Sequence, residues 1–98
     1  MAEIRWTDEA VTWLQDIFDY IARDSPSAAA KVVSGIYDTV QLLKDFPELG
    51  YKYKSEKEGD IRILLYGHYR IAYLIKGKES IDILGVFHAA LDIDRYLL

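Results

Sequence analysis

Four side chains in this 98-residue sequence could move protons and hold a phosphate between them: Arg62, Arg70, His88 and Tyr96. Cleavage of RNA through its own 2′-hydroxyl needs a base, an acid, and cations for the charge that builds on the phosphate. These four are the set that meets that need. Each arginine also has a structural reading, as an ion pair or, for Arg70, as a stem lying over Tyr66. His88 ends an expected strand, where a hydrogen-bonded structural role competes with catalysis, and His68 falls in an expected turn and reads as solvated. Trp13 and Tyr20 stand seven apart beside the apolar stripe of an expected helix, which fits either anchors for a protein partner or packing at the edge of the core. Lys52, Lys54 and Lys57 interleave with Glu48, Glu56, Glu58 and Asp60, so their fields cancel and the segment reads as solvated. No metal-ligand cluster, phosphate-binding glycine loop or Ser-His-Asp order is visible, and no cofactor is expected.

Composition narrows the classes. The length suits one domain, residues 1–98, and half the residues are hydrophobic, enough for a packed core to offset chain entropy. The absence of cysteine excludes disulfides, thiolate metal sites and thiol nucleophiles, and fits a reducing compartment. Charge interrupts every apolar run, so no membrane span is expected, and a polar, patterned N-terminus does not read as a signal peptide. Cytoplasm is the expected location. A net charge of −4 weakens a nucleic-acid role, although 12 Lys and Arg leave room for a local basic cluster.

The elements that must position these residues follow from spacing. Glu3 to Trp6 alternates as a short strand and runs into Thr7, a cap for a helix from Asp8 to about Arg23 with Ala10, Leu14, Ile17 and Ile21 on its apolar stripe. Ser25 and Pro26 start a second helix, whose stripe is Ala29, Val33, Ile36, Val40 and Leu43, and the tight turn between the two makes an antiparallel hairpin. Pro47 to Asp60 reads as a loop. Ile61 to Tyr66, Tyr69 to Lys76 and Ser80 to His88 then read as an antiparallel meander with turns at Gly67-His68 and Gly77-Lys78. Alternation assigns Ile61, Ile63 and Leu65, and likewise Tyr69, Ile71, Tyr73 and Ile75, to the helix-packed face. That choice places Arg62 and Arg70 together on the open face and requires an odd-numbered, bulged loop at Gly67. The third run breaks parity between Ile83 and Val86, which predicts a bulge near Gly85 or cover from the tail. Leu91 to Leu98 reads as a last helical turn or an extended flap.

The result is an α+β fold of order β-α-α-β-β-β, a helical hairpin on a twisted, mainly antiparallel sheet. Ile4-Arg5-Trp6-Thr7, Asp24-Ser25-Pro26-Ser27-Ala28-Ala29, Phe46-Pro47-Glu48-Leu49-Gly50, Tyr69-Arg70-Ile71-Ala72-Tyr73, and Val86-Phe87-His88 with Asp92 and Ile93 resemble, in this order, the ParE branch of the RelE/ParE toxins. The resemblance covers nearly the whole chain. It implies a prokaryotic toxin–antitoxin pair in which a cognate antitoxin wraps the toxin and carries any contact with operator DNA. ParE-like members poison DNA gyrase by binding, whereas RelE-like members cleave messenger RNA on the ribosome. Basic positions of the RelE-like enzymes fall here on Leu65 or Tyr66 and near Ala89 or Ala90, so the ParE-like reading leads. Arg62, Arg70, Trp13, Tyr20 and Tyr96 are the expected target- or antitoxin-binding residues. The alternatives are a ribosome-dependent endoribonuclease using Arg62, Arg70, His88 and Tyr96, and a non-toxic chain that binds its antitoxin and co-represses the operon.

Overall fold

The computed structural model describes residues 2–77 and 79–97; Met1, Leu98 and the Lys78 of the expected Gly77-Lys78 turn lie outside the described residues. Strand β1 (Glu3–Trp6) hands the chain to helix α1 (Asp8–Ala22) through Thr7. The Thr7 hydroxyl accepts the Ala10 N–H at 3.1 Å and donates to the Ile83 carbonyl at 2.7 Å, so one side chain both caps the helix and ties it to the sheet. Ser25 accepts the Ala28 N–H at 3.2 Å, and Pro26 opens α2 (Pro26–Gln41), where its missing donor is harmless. A 3-10 turn, Leu42–Lys44, continues the stripe, and Ala29, Ile36, Val40 and Leu43 are fully buried as their spacing predicts.

Five strands follow the order β1-β5-β4-β3-β2, with β1 parallel to β5 and every other pair antiparallel. The segment expected to be a loop from Pro47 to Asp60 contains strand β2 (Tyr51–Glu56), paired with β3 (Gly59–Tyr66). Its YKYKSE sequence has little hydrophobic weight because it is an edge strand, and its lysines suit an edge that must not aggregate. The last two strands are β4 (Tyr69–Lys76) and β5 (Ser80–His88). Ala72 pairs with Gly85 and Tyr73 with Ile83, so Leu84 is the bulged residue, one position from the expected Gly85.

The register of β3 differs from the expectation. Tyr66 pairs with Tyr69, leaving a two-residue loop of Gly67 and His68 in place of an odd one, and Gly67 takes the positive φ of 54° that a primed hairpin turn requires. Tyr69, Ile71, Tyr73 and Ile75 do face the helices, but their β3 neighbours there are Leu64 and Tyr66. Ile63 lies on the opposite face with Ala72 and Phe87. Since β3 is apolar on both parities and buried on both faces, alternation could not say which set points where.

Two cores result. Between helices and sheet lie Ile36, Val40, Leu43, Ile71, Tyr73, Ile81, Ile83 and Val86, all with no exposed surface, and Gly35 leaves room for the Tyr66 phenol, which a Cβ would strike. On the other face Ile63, Ala72 and Phe87 are closed by Ile93 and by α3 (Asp94–Leu97), so of the two forms expected of the tail it takes the helical turn. The Tyr53 hydroxyl donates to Asp94 and ties β2 to that turn.

Candidate partner-binding surface

Arg62 and Arg70 are not brought together. Arg62 pairs across the ladder with Tyr73, on the helix-packed parity, while Arg70 pairs with Leu65 and Phe87, on the other. The Arg62 Nη1 donates to the carbonyls of Gly50 at 2.6 Å and Glu48 at 3.3 Å, and Nη2 lies 3.9 Å from the Glu48 carboxylate. Beside it the Tyr73 hydroxyl accepts the Gly50 N–H at 2.9 Å and donates to the Pro47 carbonyl at 2.7 Å. Burial pushes the Tyr73 phenol above its ordinary pKa of 10.0, against the pull of the Gly50 N–H and the Arg62 charge. Together they pin the Pro47–Gly50 turn.

Arg70 does the same for a different segment. Its Nη2 donates to the carbonyls of Ala89 at 3.0 Å and Leu91 at 2.7 Å, holding the chain as it leaves β5. His88 stacks on His68 with centroids 6.2 Å apart and meets the Tyr69 ring edge-on at 5.6 Å. Its Nδ1 accepts the Ala90 N–H at 3.1 Å, which leaves the proton of the neutral ring on Nε2. From the pairings Arg62–Tyr73 and Tyr69–His88, Arg62 sits four residues from His88 along the ladder, about 13 Å, and about 10 Å across the strands. Arg62 therefore lies apart from His88, and Arg70 stands on the opposite face of the sheet from Arg62.

The aromatic candidates do converge. Trp13 meets Phe87 edge-on at 4.7 Å and Tyr96 at 5.0 Å, and Tyr96 stacks on Phe87 at 5.5 Å. This is possible because β1 pairs only with Ser80 to Ile83, leaving the second half of β5 for α1 to cover. Beside this cluster runs a groove of about 540 Å³. Trp13, Asp16, Ile17 and Tyr20 of α1 form one wall, and Tyr69, His88, Ala90 and Leu91 form the other. Tyr20 is 72% exposed on its rim, and the Arg23 guanidinium lies 5.8 Å from its ring centre. Trp13 and Tyr20 thus combine both readings, core edge for the first and open surface for the second.

Two features escaped the sequence reading. Asp82 is buried on the face opposite Ile81 and Ile83 and pairs with Lys76 at 2.7 Å and Arg5 at 3.2 Å. Burial pushes its carboxyl up, but the hydrogen bonds and charges of Lys76 and Arg5 outweigh that and hold it below the ordinary 3.8. The alternation of Ile81, Asp82 and Ile83 was the available signal, and only the ladder names the cations. The second is a shallow apolar groove among Leu42, Leu49, Tyr51 and Leu65, each about half exposed. Among the described residues no His, Cys, Asp and Glu group of metal-binding size is present, and no helix is long and apolar enough to cross a membrane.

Residues 4–93 match the family model described as the ParE toxin of the type II toxin–antitoxin system parDE. A Sinorhizobium fredii protein named "Putative toxin Y4kP" is 39% identical over 88 residues, covering 88% of this chain and 86% of its own. The solved structure titled "Chromosomal ParDE TA system from P. aeruginosa" superposes with a TM-score of 0.70 at 28% identity, over 90% of this chain and 96% of the other.

Proposed function

Because the chain belongs to the ParE toxin family of type II toxin–antitoxin systems, we propose that it acts in the cytoplasm by binding a topoisomerase, DNA gyrase, with a cognate antitoxin to silence it. Operator DNA is reached only through that antitoxin. The observation that favours binding over messenger RNA cleavage is the state of His88. A base must offer a free lone pair to the 2′-hydroxyl, yet the His88 Nδ1 is spent on the Ala90 N–H and its Nε2 carries the proton. Arg62 and Arg70 are likewise turned onto backbone carbonyls on opposite faces of the sheet, so the two do not converge on a phosphate beside His88. The gathered aromatic surface is better suited to gripping protein, since large rings dominate interface energetics.

Induced expression should therefore cause filamentation and DNA damage, and purified protein should inhibit supercoiling by gyrase. His88→Ala should keep most of that activity. Codon-dependent cleavage of ribosome-bound messenger RNA that disappears in His88→Ala at unchanged stability would instead establish the ribonuclease reading. Were both assays negative while antitoxin bound tightly, co-repression without toxicity would take its place.

A further inference from the structure

We propose that the groove between α1 and the ends of β4 and β5 seats an arginine or lysine side chain carried on an apolar segment of a partner polypeptide. Its volume of about 540 Å³ lies within the range of sites that enclose a ligand. The walls are apolar, from Trp13, Ile17, Tyr69 and Leu91, and three indole or phenol rings line it: Trp13, Tyr20 and Tyr69. Ring faces carry negative potential and attract cations, guanidinium above all. The chain already uses one of them in this way, since the Arg23 guanidinium lies over Tyr20.

Charge selects the same occupant. Helix α1 contains Asp8, Glu9, Asp16 and Asp19 and no lysine or arginine from Asp8 to Ala22. Asp19 takes the Gln15 amide at 2.9 Å, whereas Asp16, on the groove wall, makes no ion pair among the described residues. Arg23 offsets part of the field at the rim, so selectivity falls to Asp16. A carboxylate beside aromatic walls accepts a cation and repels an anionic segment, and a net charge of −4 draws basic partners from a distance. His88, with its proton on Nε2, supplies a donor for a backbone carbonyl of the same segment. The inference stands whichever macromolecule the toxin poisons, so a negative supercoiling assay leaves it untouched.

The test uses the intact chain, with the Trp13 indole N–H resonance as reporter. Benzamidine, a flat apolar ring bearing an amidinium, is titrated against benzamide, its neutral analogue. A tripeptide Leu-Arg-Leu with blocked ends is titrated against Leu-citrulline-Leu. The cationic member of each pair should bind about fivefold tighter, the scale of an exposed ion pair with cation–π support. Asp16→Asn, an exposed helix position, should reduce that preference to the smaller share the rings give and leave benzamide binding unchanged. Equal binding within the pairs, a preference undiminished by Asp16→Asn, no binding of either tripeptide, or shifts that bypass Trp13 would each overturn the proposal.

Discussion

Arg62 and Arg70 stand on adjacent strands of one hairpin, and each gives its guanidinium to two backbone carbonyls, yet they hold very different structures. Arg62, helped by Tyr73, pins the Pro47–Gly50 turn on the face that α1 and α2 cover. Arg70 pins the exit from β5 on the face that the tail and α3 close, with Trp13 of α1 and Tyr53 of β2 at its margin. The first clamp is anchored on Tyr73, which is fully buried beneath the helices. The second secures a cover one helical turn long. Similar hydrogen bonds should therefore act globally at one site and locally at the other, because a segment opens at the free energy of its own contacts and not of the whole domain.

The sharpest way to break this comparison is to empty one core at a time. Ile83 is fully buried under the helices and Ile93 is 5% exposed under the tail. Ile83→Ala should cost about 4 kcal/mol and Ile93→Ala about 2 kcal/mol, since a short tail relaxes into its cavity more readily than packed helices do. Urea unfolding of the two variants measures both, and equal losses would show that the tail is locked as firmly as the hairpin.

The arginines should divide in the same order at smaller scale. Arg62→Ala removes a largely buried charged donor from the Pro47–Gly50 turn and is expected to cost about 2 kcal/mol in global stability, against about 1 kcal/mol for Arg70→Ala. Hydrogen exchange sharpens the difference. Arg70→Ala should accelerate the amides from Ala89 to Leu97 alone, and faster exchange throughout the sheet would remove the distinction between local and global clamp.

The smallest effect concerns Asp82, on the same face as Arg70 but held by charge and not by the tail. Its carboxyl is depressed in the folded chain, so its contribution is present above the unfolded value of about 3.9 and is lost as pH falls through the lower folded value. Asp82→Asn should thus lower stability at neutral pH, with the gap to wild type closing below about pH 4. Most of the Arg5 side chain is exposed, at 69%, which keeps the effect modest. A gap that does not begin to narrow as pH falls below about 4 would assign the loss to packing and not to the ion pairs.

The helices were legible because their signals are local. Thr7 and Ser25 cap within three residues, and the buried stripe of α2 follows a spacing that any reader of the chain can count. The bulge at Leu84 showed itself as broken parity on a strand buried along both faces. Strand β2 was hidden because an edge strand gains its order from the neighbour it pairs with, and Tyr51 to Glu56 carries little apolar weight to announce that pairing.

For the candidate site the division is stricter. Residue types alone determined which side chains could act, that Trp13 and Tyr20 share one helix flank, and that the meander would carry Arg62, Arg70 and His88. Tertiary structure decided which of them meet. A two-residue turn at Gly67-His68 in place of an odd loop reverses the faces of β3, because side chains alternate with a period of two, and this one-residue difference separated the arginines. The direction of each guanidinium and the tautomer of His88 depended on carbonyls and an N–H brought close by folding or by the backbone path after β5, and no spacing in the chain encodes where those groups point.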